Sequence, residues 1–356
     1  MRFLGRADEL KKTLIAGIIG FAVGALIIMI YGYDPVSAYK TLFSGAFGDL
    51  YGISESLANA TPLILTALTF AIGFRGGMFN IGAEGQLYLG ALAAVTISLL
   101  HLPFSICFAL SLIAAALAGA IWSLPVAILK VSRGVHEVIS TIMLNWISHF
   151  LSFYLIAKVL VDPQRAEKTI SVVEGARFSV LVQGTTLSYG IFVSIFAAII
   201  IYILLWRTVI GFDIRAIGHN PRAATYAGIE KWKIILFTFI TGGVTAGLAG
   251  AVHVMGRPPT YAVYSGMPSI RGLGFEGLAV AMIGRNHPIG IIFSAVFFGG
   301  LLAGGRMMQM FAQVPLEMVR VVEGIVVLFL AIPELVRMFS FLRKERIPII
   351  AESKKS

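Results

Sequence analysis

What most constrains this chain is a succession of apolar blocks with basic residues gathered in alternate connections between them. Each block is close to the ~20 residues that carry a helix across the hydrocarbon of a bilayer. A soluble domain keeps about 25% of its residues charged. Here 13% are charged and 58% hydrophobic, with a mean hydropathy of +0.88. Much of the surface must face something other than water, so the chain reads as an all-α membrane protein. Lys11 and Lys12 precede the first apolar run, Thr13 to Tyr31. That run is too long for the core of a cleavable signal and lacks a convincing cleavage site, so a retained first helix is expected.

Ten spans are expected, near residues 13–31, 57–74, 80–100, 105–129, 138–160, 189–206, 233–255, 272–285, 289–305 and 316–336. An even count puts both termini on one side. That side receives Arg2, Arg6, Lys11 and Lys12 at the start, and Arg337, Arg343, Lys344, Arg346, Lys354 and Lys355 at the end. It also receives Arg75, Lys130, Arg133, Arg207, Arg215, Arg222, Lys231, Lys233 and Arg285. Most of the 28 basic residues therefore lie on one face, which marks it as cytoplasmic. The threading gives one transmembrane domain, 1–356, with a large external loop at 161–188 and a cytoplasmic tail at 337–356. Residues 33–56 are mildly amphipathic and suit the outer interface. The net charge of +10 follows this sorting and leaves no basic soluble domain to carry nucleic acid. The single cysteine, Cys107, excludes an intrachain disulfide and suits a small packing role.

The two halves echo one another. Gly82-Ala83-Glu84-Gly85 opens the third span and Gly274-Phe275-Glu276-Gly277 opens the eighth, in opposite directions through the membrane. Spans 2–5 and 7–10 then read as two inverted repeats, the arrangement in which transporters place their pathway.

Intramembrane polar residues are costly in lipid and are the candidates for that pathway. Asn145, His149 and Ser152 share one helical face by their spacing, beside Trp146, Phe153 and Tyr154. An amide, an imidazole and aromatic rings suit a neutral base or sugar. Interhelical hydrogen bonding is the alternative for each. Glu84 and Glu276 fall in first helical turns, where the dipole favours an acid, and either packing or pathway lining accounts for them. Asn80 is grouped with them; Asn59 and His253 are further intramembrane polar positions. Gly243/Gly247 and Gly300/Gly304 have the spacing that lets membrane helices approach closely.

No Gly is followed by Lys anywhere, so the phosphate-binding loop G-x-x-x-x-G-K-[ST] is missing and ATP must be handled by another chain. Gly272, Gly274 and Gly277 satisfy G-x-G-x-x-G. They open an apolar membrane segment rather than a βαβ unit, which excludes a dinucleotide site. No H-E-x-x-H or G-x-S-x-G supports an intramembrane enzyme, so no catalytic or metal residue is assigned. A self-sufficient secondary transporter fits the composition equally well.

The connection 207–232 decides between them. Asn220 is a good N-cap, Pro221 suits the first helical position and Gly228 suits a C-terminal stop. Between them a helix of about two turns carries Ala223, Ala224, Thr225 and Ala227. A helix this short is marginal in water without a partner. The segment Gly211–Ile229 resembles the cytoplasmic coupling loop of permeases in the branched-chain amino acid, ribose and nucleoside importer superfamily. Gly76–Ala91, Gly272–Gly277 and Gly284–Gly290 agree, and together most resemble its purine-nucleoside or simple-sugar subgroup. The resemblance implies an ABC importer permease in the bacterial cytoplasmic membrane that carries nucleosides, with simple sugars the alternative. It implies no cofactor in this chain, ATP and Mg being bound by a cytoplasmic ATPase subunit. A second, non-identical permease and an extracytoplasmic substrate-binding lipoprotein complete the expected partners. The segment 207–232, with its small Ala223, Ala224 and Ala227, would then be the part that docks in the ATPase.

Overall fold

The computed structural model describes residues 2–100 and 102–344, and the protein is mostly helical. Arg346, Lys354 and Lys355 of the expected tail lie outside the described residues. Of the described residues, those within 1–45 and 304–344 form one compact unit and those within 46–303 form another.

In the first unit, α1 (Arg2–Ile30) lies along α13 (Leu316–Lys344). Glycines set that approach: a Cβ added at Gly20 would stand 3.1 Å from Val326 Cα and Phe329 Cβ. α2 (Pro35–Phe47) is the amphipathic segment expected at the interface. Its start follows from Asp34, whose carboxylate accepts the Val36 and Ser37 N–H groups, and from Pro35 at the first position. Tyr39 anchors it to α1 by donating to the Phe21 carbonyl at 2.7 Å.

The second unit is built around α10 (Lys231–Gly256), which packs on α3 (Leu50–Arg75), α4 (Ala83–Ser98) and α5 (Phe104–Arg133). Gly243 and Gly247 do what their spacing implies. A Cβ on Gly243 would fall on the Gly119 carbonyl, and one on Gly247 on the Ala115 carbonyl, so α5 touches α10 backbone to backbone. Gly90 of α4 meets the other side of Gly247, its added Cβ standing 2.5 Å from Gly247 Cα. In this three-helix contact the close approach of backbones supplies the dispersion contacts that hold membrane helices together. The outer faces of α5 and α7 (Gly190–Arg207) expose Ile, Leu and Phe, as a lipid-facing surface does, while that of α6 (Glu137–Tyr154) also carries Trp146, His149 and Tyr154.

Each expected span coincides with a helix, but among the described residues six helices are long and apolar enough to cross a bilayer. These are α3, α5, α6 with its π-helical extension to Val159, α7, α10 and α12 (Pro288–Phe311). α4 has 16 residues and α11 (Leu273–Ile283) has 11. At 1.5 Å per residue α11 covers about 16 Å, half the ~30 Å of hydrocarbon.

Residues 160–189 fold into a compact cap. A two-stranded hairpin, β1 (Val161–Asp162) with β2 (Arg165–Thr169), is closed by the Asp162–Lys168 ion pair at 2.9 Å. The hydrogen bond from Lys168 holds the Asp162 carboxyl below its usual range. The cap is joined to residues 257–272 by backbone hydrogen bonds, Thr169 N to Val263 O and Val172 N to Tyr261 O.

Candidate functional site

The two short helices meet. Glu84, in the first turn of α4, is 4% exposed and turns its carboxylate onto the start of α11. It accepts the Gly272 N–H at 2.5 Å and the Gly274 N–H at 2.7 Å, and the buried Tyr88 hydroxyl donates to it as well. Two of the N–H groups a helix start leaves open are thereby satisfied by an acid, where the dipole favours one. Gly272 occupies the left-handed region at φ +95°, and Gly274 leaves room for the Glu84 backbone, since its added Cβ would fall against Glu84 N and Cα. The sequence echo G-x-E-G therefore marks two segments that touch. Glu276 sits half-buried in the first turn of α11.

The loop leading to α4 is held from within. Asn80, 2% exposed, accepts the Gly82 N–H at 3.0 Å and the Gln86 side-chain amide at 3.4 Å. Asn80 Nδ2 and Gln86 Oε1 are buried and make no hydrogen bond. Asn145 of α6 uses both ends of its amide on the same loop, accepting from Gly85 N at 3.0 Å and donating to Ile81 O at 2.9 Å. The shared polar face inferred for Asn145, His149 and Ser152 divides. Asn145, Ser148 and Ser152 are buried, while His149 is half-buried beside exposed aromatics. The His149 ring lies 5.9 Å from Trp146, 5.4 Å from Phe150 and 6.1 Å from Tyr88, which links the outer face of α6 to the Glu84 node. Trp146 and Tyr154 are 54% and 58% exposed.

The short helix in 207–232 is α9 (Pro221–Tyr226), capped as its sequence implies: Asn220 Oδ1 accepts the Arg222 and Ala223 N–H groups at 3.1 Å. Gly228 takes φ +86° just past it, a conformation that costs glycine no steric strain. Sequence reasoning missed α8 (Val209–His219), an 11-residue helix before it with its own cap at Thr208. It also took the small residues of α9 as one docking face. Ala223, Thr225, Ala227 and Gly228 are exposed, but Ala224 is 5% exposed and faces the protein's own body. The prominent exposed group is Tyr226, at 94%, beside a groove lined by Pro221, Arg222, Thr225 and Lys231.

The hydrogen bonds of the cap end were not legible in the sequence. Glu55 accepts the Thr186 N–H and hydroxyl at 2.7 and 3.0 Å, and Arg257 donates to Asn59 Oδ1 at 3.1 Å. His253 and Arg257 line a small polar cavity there with Thr61, Thr186 and Ser188.

Residues 52–331 match the family of permease components of branched-chain amino acid transport systems. The chain is 40% identical over 338 residues to the guanosine ABC transporter permease protein NupP of Bacillus subtilis, covering 92% of this chain and 94% of that one. It is 35% identical over 339 residues to the nucleoside ABC transporter permease protein NupB of Lactococcus lactis, covering 92% of each. It is 31% identical over 331 residues to the glucose ABC transporter permease protein TsgB13 of Haloferax volcanii, covering 88% and 84%. With apolar spanning helices, glycine-set helix contacts and a family match over most of its length, the chain belongs to this family of ABC transporter permeases.

Proposed function

We propose that this chain is the permease subunit of an ATP-driven nucleoside importer, with purine nucleosides as its first substrates. The observation that carries this reading is the match along nearly the whole chain to permeases named for guanosine and nucleosides. The likeness to a glucose permease supports a sugar substrate as the second reading. The chain works with a second permease, a cytoplasmic ATPase that binds ATP and Mg, and an external binding protein. Both termini are cytoplasmic, and α1, α3–α7 and α10–α13 account for ten membrane passages, α8 and α9 lying outside. α3–α6 and α10–α13 form the two inverted repeats. Their shared order supports this: a 26-residue helix, then a short helix of 16 or 11 residues, then two longer helices.

Within the pathway the candidate residues take different roles. Trp146, His149 and Tyr154 stand on the exposed face of α6, where a half-exposed imidazole is poorly suited to lipid and suited to stacking on a base. Asn80 contributes its unpaired Nδ2 when α4 and its neighbours separate, because an unsatisfied buried donor costs about 1–3 kcal/mol while they are packed together. Asn145, Glu84 and Glu276 hold or flank the helix starts. The substrate class is tested by uptake of labelled guanosine in cells with and without this gene. Inosine and adenosine should compete and glucose and ribose should not; competition by the sugars alone would overturn the nucleoside reading.

A further inference from the structure

The end of the second unit that carries α8 and α9 has a feature the pathway does not use. Gly218, near the end of α8, lies directly on the end of α3. A Cβ added there would fall on the Arg75 carbonyl oxygen and stand 3.0 Å from Gly77 N. Gly77, at φ +69°, would bring its own Cβ to 3.1 Å from Gly218 Cα. At the other end of α8 an added Cβ on Gly211 would fall on the Leu204 carbonyl, against the end of α7. α8 therefore meets the ends of α3 and α7 backbone to backbone at Gly218 and Gly211, where there is no room for a side chain to absorb a displacement.

Arg75 sits at the meeting point and reaches a third element. Its Nε donates to the Asn286 carbonyl at 3.0 Å and its Nη2 to the Arg285 carbonyl at 3.0 Å, in the turn between α11 and α12. Its guanidinium lies 5.3 Å from the ring centre of Trp206 on α7, and Arg215 of α8 approaches the same ring at 6.0 Å. The His287 ring, in the α11–α12 turn, is 4.6 Å from Trp206. One indole thus gathers α7, α8, the end of α3 and the turn after α11. Arg75 and Glu84 belong to the same α3–α4 hairpin, and between them they grip α11 at both ends. Glu84 holds its first N–H groups, and Arg75 holds the carbonyls just past its last turn.

We infer that Arg75 is the positioning residue through which movement of α8–α9 reaches α11, and so the pathway. The inference rests on the reading that α8–α9 meets the ATPase. Closely packed contacts switch between discrete arrangements rather than deforming smoothly. A shift of α8 against the Arg75 carbonyl then moves the α3–α4 hairpin, and with it both ends of α11. The planar fork of arginine is needed for this, because it bonds two carbonyls while stacking on a ring; lysine keeps the charge but has no rigid fork to hold both carbonyls and the ring at once.

The test uses the assembled transporter, purified through a tag on this chain and reconstituted in lipid vesicles, with Arg75→Lys and Trp206→Leu compared with wild type. Co-purified ATPase, ATP hydrolysis and labelled guanosine uptake are measured on each preparation. Both variants should retain the ATPase and hydrolyse ATP, while guanosine carried per ATP falls about tenfold, within the 5–150-fold range of site-to-site coupling. If the variants lose only the amount of assembled complex and carry wild-type guanosine per ATP, Arg75 is a structural clamp and the inference is overturned. Should Arg75→Lys fail to assemble, Trp206→Leu decides by the same ratio. A wild-type complex that holds no ATPase would overturn the functional reading itself, a result distinct from a change in the ratio.

Discussion

Glu84 accepts the backbone N–H of Gly274 at 2.7 Å, across 190 residues of chain. An acid in the first turn of one short helix thereby caps the first turn of another. Both starts favour the negative charge, and the bond is charge-assisted. Glu84→Gln keeps the shape and removes the charge. Loss of hydrogen bonds to a charged group costs about 1.5–3 kcal/mol. The variant should unfold at a lower temperature in detergent than wild type, with Tyr88→Phe intermediate. An unchanged midpoint in Glu84→Gln would show that the contact does not hold the two helices.

The Gly247 contact makes a sharper demand. Its α-carbon faces Ala115 of α5 on one side and Gly90 of α4 on the other. Gly247→Ala inserts one methyl group where backbone already stands, and overpacking of this kind costs about 1–3 kcal/mol. Thermal stability and membrane yield should both fall. Gly324→Ala, at a position where an added Cβ meets nothing within 4 Å, is the control and should be silent.

On α9 the exposed tyrosine separates docking from folding. Tyr226→Ala should leave the permease inserted and stable, yet weaken its hold on the ATPase by about 2 kcal/mol, as removal of an aromatic anchor does. Ala224→Trp should instead lower stability, because Ala224 faces the protein's own body. Pull-down of the ATPase together with a melting curve on each variant distinguishes the two. If Tyr226→Ala retains full association, the docking face lies elsewhere.

Much of this architecture was legible because lipid imposes long apolar helices and because caps are local. Asn220, Pro221 and Gly228 marked the ends of α9, and Gly243/Gly247 marked a close helix contact, since each signal depends only on near neighbours in the chain. α8 escaped because its two glycines, Gly211 and Gly218, lower helix propensity, while the backbone contacts they permit with α7 and α3 are not encoded in local spacing. The split of α6 escaped for a different reason. Helical spacing places Asn145 and His149 together, but which of them meets α4 depends on a crossing that periodicity does not encode. The Arg75 and Glu84 grips on α11 join residues about 200 positions apart, and nothing local announces them.

Sidedness follows from the basic residues and can be checked directly. Cysteines placed at Gln164 and Thr225, in a Cys107→Ala background, should label from opposite faces of intact cells. Gln164 should react with an impermeant maleimide from outside, and Thr225 only after permeabilisation. Equal labelling of both from outside would overturn the ten-passage topology.

The central claim is that this chain carries nucleosides only when a separate ATPase drives it. Its most direct test is labelled guanosine uptake into vesicles containing either this chain alone or the chain with its second permease, ATPase and binding protein. Uptake should require the full assembly with ATP and Mg inside the compartment that holds the ATPase, and should vanish with a non-hydrolysable analogue. Accumulation by the chain alone, driven by an ion gradient without ATP, would contradict the account.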